Sequence, residues 1–263
     1  MTVNKSGIKV TILGSGTCVP SLKRSSCSVL MQTDSSRLLF DSGPGTMRRL
    51  LEAGASIFDI SHIFYSHFHP DHTSEFVPFI FATKYPDDGR RKTPLTVGGG
   101  RGLLNFYENL KGVYGQWIEL TPGLLEIIEF DNKTADTIAF EDFTVNTAPV
   151  QHNEESIAFR ITGTDGISAV YTGDTDYSET IIDLAKVADL LICECDLADK
   201  MRVRGHLTPS LAGVLAARAN VRKLVLTHFY PECDQEDIEA QCRKTYTGPL
   251  VLAEDLMQLK VGS

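Results

Sequence analysis

Three histidines and an aspartate crowd into six positions in HFHPDH, residues 67–72. A protein core tolerates one histidine with a hydrogen-bond partner, but three so close together need water or an electrophile for their nitrogen lone pairs. A metal ion meets that need. His67 and His69 lie two apart, so an extended backbone turns both rings to one side, while Asp71 and His72 follow on a turn beginning at Pro70. This arrangement can serve two metals, provided more ligands arrive from elsewhere. Three residues stand directly after β-rich apolar runs and could supply them: His152 after FTVNTAPVQ, Asp174 ending ISAVYTGD, and His228 ending KLVLTH. Strand ends converge in α/β folds, which lets residues distant in sequence meet. Of the seven histidines, five fall in this set; His62 reads as a strand residue, and His206 stands apart. A single histidine at a strand end is ordinary, but the joint pattern is not.

The surrounding elements suit that arrangement. IKVTILGSG, SVLMQT and RLLFDSG read as an opening β-meander punctuated by Gly, Ser and Asp turns. GTMRRLLEAG, residues 45–54, has helical apolar spacing and a closing glycine, and DISHIFYSH after it is strand-like. The histidine cluster therefore falls in a strand-to-helix loop. The next segment, TSEFVPFIFATKY, predicts a helix from near Thr73, with Pro78 either bending it or resetting its start. Between 94 and 150, LTVGGG, LLEIIEF and FTVNTAPV are strand candidates and LLNFYENLKGVYG is a helix candidate. SIAFRI and ISAVYTGD predict two strands joined by a turn, and ETIIDLAKVA predicts a short amphipathic helix. TPSLAGVLAARANV predicts a helix capped by Thr208 with Pro209 at its first position, followed by the buried strand KLVLTHF. No repeat or linker interrupts the chain, so residues 1–263 are expected to form one α/β domain. GSG at 14–16 lacks the remainder of any phosphate-loop pattern and reads as a strand-ending turn, and Asp41 in FDSGPG reads as a turn former.

Composition narrows the classes. The chain has 42% hydrophobic and 22% charged residues, which is ordinary for a globular protein. No apolar run approaches the roughly 18 residues that span a bilayer, and MTVNKSGIKV lacks a secretory core, so a cytoplasmic protein with no membrane partner is expected. A net charge of −9 argues against broad capture of nucleic acid, leaving GRRK (89–92) and RVRGH (202–206) as local basic patches. The six cysteines form no CxxC pair and are expected to be reduced; Cys193 and Cys195 read as small apolar fillers on one strand face.

His67, His69, Asp71 and His72 match HxHxDH, the signature of the metallo-β-lactamase superfamily, and His152, Asp174 and His228 follow in that family's order. The resemblance runs from ILGSGTCVP to LTHFYP. It implies a four-layer αβ/βα sandwich with metals at one edge. It further implies one metal held by His67, His69 and His152, a second by Asp71, His72 and His228, and Asp174 bridging them. Two Zn2+ ions suit this donor set, and Mn2+ or Fe would suit it as well. LGSGTCVPSLKRSSCSVL, FDSGPGT and GHLTPSLAG are similar to segments of the ribonuclease Z group. That likeness implies Glu194 and His206 as a proton-delivering pair, with Asp71 orienting the nucleophile. It also implies a homodimer and an anionic ester substrate, with an RNA 3′ end among the candidates. Other esters are supported by the same frame: lactones, thioesters and aryl sulfates. A non-catalytic metal-binding role is a distant alternative. One departure is visible. Ribonuclease Z commonly carries a tRNA-gripping arm between its third metal histidine and the bridging aspartate, and here the 21 residues from His152 to Asp174 suffice only for two strands and a turn.

Overall fold

A computed structural model describes residues 7–85 and 90–262. The first-met segment MTVNKS and the start of GRRK at Gly89 lie outside them. Seven strands form a first sheet: β1 (Ile8–Gly14), β2 (Ser28–Gln32), β3 (Arg37–Phe40), β4 (His62–Tyr65), β5 (Leu95–Gly100), β6 (Leu125–Phe130) and β14 (Gln258–Val261). The second sheet holds β7 (Asp136–Ala139), β8 (Phe143–Pro149), β9 (Ile157–Gly163), β10 (Ser168–Tyr171), β11 (Leu190–Glu194), β12 (Leu224–Thr227) and β13 (Leu250–Leu252). Their orders are β14-β1-β2-β3-β4-β5-β6 and β13-β12-β11-β10-β9-β8-β7. Each sheet is antiparallel on one side and parallel on the other, the change falling at β3 in the first and at β10 in the second.

Alternation of side chains separates two cores. Leu38, Phe40 and Phe64 point between the sheets, into a core shared with Phe159, Tyr171 and Ile192. Leu39, Ile63 and Tyr65 point the other way, against Leu50, Phe76, Phe79 and Leu103. These last four belong to α1 (Thr46–Glu52), α3 (Phe76–Ala82) and α4 (Leu103–Tyr114), which cover the first sheet. The second sheet is covered by α5 (Glu179–Leu184) and α6 (Pro209–Ala219), with α7 (Ile238–Arg243) against α6. The four layers are those expected, α/β/β/α.

The expected helix from Thr73 is instead two. α2 (Pro70–Thr73) starts at Pro70, inside the histidine stretch, and α3 starts afresh at Phe76 with Pro78 in its first turn, where no helical hydrogen bond is lost. The break is used: the Glu75 carboxylate accepts from Gly45 N and Met47 N, 2.6 Å each, and thereby caps α1. Thr208 is the N-cap residue of α6 as expected, but its side chain makes no capping bond. Cys193 and Cys195 are fully buried. Of the basic patches, Arg91 is buried and donates to the carbonyls of Ile60 (2.9 Å) and Ile57 (2.5 Å), while Arg202 pairs with Asp176. Arg90, Lys92 and Arg204 are exposed.

Candidate metal centre

The carboxyl ends of β4, β10, β11 and β12, and the loop after β8, meet at one edge of the sandwich. β4 carries the chain through Ser66 into His67, His69, Asp71 and His72; β8 leads to His152; β10 leads to Asp174; β12 leads to His228. Two glycines permit the approach. A Cβ on Gly173 would come within 2.3 Å of the Ser66 Cβ, and one on Gly43 within 1.9 Å of the Asp71 carbonyl oxygen. His228 itself sits at φ 62°, a left-handed conformation uncommon outside glycine and concentrated at functional sites.

One ligand-type atom each from His67, His69, His152 and Asp174 lie mutually within 4.8 Å; the same holds for Asp71, His72 and His228, and for Asp174, His206 and His228. The inward atoms lack ordinary partners. His67 Nε2 and Asp174 Oδ1 are buried without a hydrogen bond. His72 Nε2 faces His228 Nε2 at 3.3 Å, and His152 Nε2 faces His69 Nδ1 at 3.3 Å. Ring nitrogens turned on one another around a buried, unpartnered carboxylate oxygen are what a cation would complete, so the residues fit divalent metal.

The outward nitrogens are anchored. His67 Nδ1 lies 3.0 Å from Ser66 Oγ, and His152 Nδ1 donates to the Gly205 carbonyl at 2.9 Å. His72 Nδ1 donates to Asp41 at 2.7 Å, and His228 Nδ1 lies 3.3 Å from Asp196. All four rings present Nε2 inward, with the tautomer fixed from behind for His67, His152 and His72, while His228 Nδ1 has the Asp196 carboxylate near it but makes no hydrogen bond. His69 is reversed. Its Nδ1 turns inward and its Nε2 lies 3.0 Å from the Asn153 carboxamide nitrogen. A lone pair on Nδ1 requires the hydrogen on Nε2, and a half-turn of that isosteric carboxamide brings its oxygen round to accept it.

Electrostatics express the same demand for positive charge. Burial alone would depress His72 and His228, yet Asp174, aided by Asp41 for His72 and Asp196 for His228, holds both well above the usual histidine range. Burial, with His72 beside it, pushes His67 well below. Metal ions would take over the charge those protons carry.

Glu194 ends β11 and is buried, not a surface strand residue. Its carboxylate accepts from Thr175 N (2.6 Å), Leu207 N (3.1 Å) and His206 Nδ1 (3.0 Å). His206 precedes α6 by three residues rather than starting it, and its ring lies 4.8 Å from that of His152 and 6.0 Å from that of His228. Burial opposes protonation of His206, but the Glu194 hydrogen bond and charge outweigh it and raise His206 to about 9. The result is an imidazole directed to the edge of the cluster and able to carry a proton at neutral pH.

Asp41 is the residue that sequence reasoning misjudged. It does adopt a turn conformation, φ 56°, but its fully buried carboxylate also accepts from Ser66 N, Ser66 Oγ, Tyr171 OH and His72 Nδ1 at 2.7 to 2.8 Å. Asp196 and Asn153 were also missed. The available signal was an aspartate directly after the apolar run RLLF, the same placement that drew attention to Asp174.

The Beta-lactamase superfamily domain model matches residues 36–229, well over half of the chain and all of this cluster. The chain belongs to the beta-lactamase superfamily. Among relatives, ribonuclease Z of Methanosarcina acetivorans is 29% identical over 308 aligned positions, covering 97% of this chain and 98% of that protein. The metallo-beta-lactamase fold protein YhfI of Bacillus subtilis superposes with a TM-score of 0.82 at 23% identity, covering 97% and 100% of the two chains. The short form of human tRNase Z superposes with a TM-score of 0.78 at 24% identity, again covering 97% and 100%. Two mixed sheets flanked by helices are thus a fold shared with these solved structures.

Proposed function

We propose that this chain is a metal-dependent hydrolase of phosphodiesters, similar in chemistry to ribonuclease Z, acting through one domain spanning residues 1–263. In this reading His67, His69 and His152 hold one ion, Asp71, His72 and His228 a second, and Asp174 lies between them. Zinc suits the histidine-rich donors best, with manganese or iron as alternatives. When bound, such ions supply Lewis acidity toward a phosphoryl oxygen and toward water. The protein's own residues do the rest. Asp71, mostly buried, accepts a hydrogen bond from the attacking nucleophile and orients it. His206, held by Glu194, delivers a proton to the departing oxygen. The observation that carries this reading is the Glu194–His206 pair beside the cluster: a buried carboxylate bonded by three N–H groups, steering an imidazole to the edge where a leaving group would depart.

The likeness to ribonuclease Z favours phosphodiesters over lactones, thioesters or aryl sulfates. It does not extend to the gripping arm: β9, its turn and β10 use up the chain between His152 and Asp174. The alignment of 308 positions against a chain of 263 residues is in keeping with inserts that this chain lacks. We therefore expect cleavage of an aryl phosphodiester with weak or no trimming of precursor tRNA. Elemental analysis should find two transition metals per chain, and a side-by-side panel of aryl phosphodiester, aryl sulfate, lactone, thioester and precursor tRNA with a 3′ trailer tests the substrate. Fast lactone or sulfate cleavage with a silent phosphodiester overturns it. Among the described residues no helix is long and apolar enough to cross a membrane; a cytoplasmic homodimer completes the reading and is checked by light scattering and fractionation.

A further inference from the structure

Just before His206 the chain turns through Arg204 and Gly205, and the turn is closed by His206 N donating to the Val203 carbonyl at 3.3 Å. Gly205 takes φ 92°, a conformation that a residue with a side chain rarely adopts. This corner meets the proposed centre through its backbone. The Gly205 carbonyl accepts from His152 Nδ1 at 2.9 Å, and the residue that follows Gly205 is His206. The place of one peptide corner thus sets both the ring of a proposed ligand and the origin of the proposed proton donor.

Asp176 holds the corner. Its Oδ2 accepts from Gly205 N at 3.1 Å, while its Oδ1 accepts from Tyr177 N at 2.7 Å and from the exposed Arg202 guanidinium at 2.8 Å. Its own N–H donates to the carbonyl of Gln151, the neighbour of His152, at 2.7 Å. These links close a ring. It runs from the Asp176 backbone to Gln151, along the chain to His152, from His152 Nδ1 to the Gly205 carbonyl, and from Gly205 N back to the Asp176 carboxylate. Thr175, next to Asp176, donates its N–H to Glu194, the carboxylate that steers His206. Asp176 belongs to none of the donor groups around the centre, so nothing in its own contacts calls for metal.

We propose that Asp176 is a positioning residue for both halves of the centre: by fixing the Gly205 peptide it orients the His152 ring for its ion and sets the reach of His206 toward the departing oxygen. The inference rests on the roles proposed for His152 and His206 and adds a residue that touches neither metal nor substrate. Misplacement by about 1 Å is enough to cost on the order of a hundredfold in a positioned reaction.

The test uses the full chain with zinc and two esters that differ in leaving group. Methyl p-nitrophenyl phosphate releases a stabilised anion, whereas methyl phenyl phosphate releases phenolate, whose conjugate acid has a pKa of about 10 like that of tyrosine, and so depends on a delivered proton. Asp176→Ala should lower kcat for the phenyl ester about tenfold more than for the p-nitrophenyl ester, and should weaken one of the two ions about tenfold in competition with a chromophoric chelator. Asp176→Asn keeps the shape but leaves one acceptor oxygen for three donors, and should show the same pattern in smaller measure. Arg202→Ala leaves the bond to Gly205 in place and should change neither readout. In a His206→Ala background, Asp176→Ala should lose its preference for the phenyl ester. Equal slowing of both esters, a preference that persists without His206, or a loss in Arg202→Ala as large as in Asp176→Ala overturns the proposal. Should the unaltered protein cleave neither ester, the phosphodiesterase reading fails and the chelator competition decides alone: one ion weakened by Asp176→Ala but not by Arg202→Ala supports the tie to His152, and unchanged affinity for both ions overturns it.

Discussion

Asp41 Oδ2 accepts a hydrogen bond from His72 Nδ1 at 2.7 Å, and neither side chain has any exposure to solvent. The bond joins the end of β3 to the loop after β4 and fixes which nitrogen of His72 faces the centre. Asp41→Asn keeps the shape and weakens the acceptor. Metal affinity at the site that includes His72 should fall about 10- to 100-fold, the range typical when such supporting bonds are lost. Competition with a chromophoric chelator measures it, and unchanged affinity of both ions would refute the role.

With its carboxamide oxygen turned to His69 Nε2 in place of the nitrogen, Asn153 should matter in proportion to the hydrogen that it would then accept. Asn153→Ala removes the acceptor and should lower affinity for one ion, whereas Asn153→Asp retains an acceptor in place and should preserve it. Equal losses in the two variants would mean that the carboxamide acts only through packing.

Asp174 and His206 should separate cleanly. Asp174→Ala removes the carboxylate shared by two of the donor groups and should cost both ions. His206→Ala should leave two ions bound and slow turnover about a hundredfold or more, the usual scale for a lost general acid. If His206→Ala sheds metal while each remaining site turns over normally, the proton-delivery assignment is wrong.

Acid stability should depend on Asp142, between β7 and β8. Burial raises its carboxyl, but Ser35 N at 2.8 Å, Ser36 Oγ at 2.7 Å and Thr33 Oγ1 at 2.7 Å outweigh that and leave it lowered to about 2. A depressed carboxylate contributes stability that is complete above its unfolded value, near 4, and is lost as pH falls through about 2. Asp142→Ala should therefore cost about 2 kcal/mol at pH 7 and little at pH 2. Urea unfolding at the two pH values checks this; equal losses at both would point to packing instead.

The parts of this molecule that could be read along the chain are those whose signal is local. The apolar runs ending in Asp174 and His228 are central strands buried on both faces, so composition alone marks them. β13 and β14 escaped notice because each is an edge strand, short and half-exposed, and β14 finds its partner far back in the chain, in β1. The split between α2 and α3 was equally hidden, since Glu75 leaves helical register to cap α1, nearly thirty residues earlier. In the centre, histidine and aspartate at strand ends announce themselves by type. Asp41 and Asn153 do not, because their importance lies in what they touch across the sheets rather than in their neighbours along the backbone.

The return of the chain to its beginning bears on how this protein is made. β14 pairs with β1, Ile8 opposite Val261 and Val10 opposite Leu259, so this side of the first sheet is covered only after β2 to β13 have been made. Until then β1, buried in the fold at every position but Lys9, presents an open edge while β7 to β13 are still being synthesised. That sequence separation predicts slow folding and a nascent intermediate prone to edge-to-edge association. Emergence of β14, rather than of the histidine loop, would be the event that ends this exposure to aggregation.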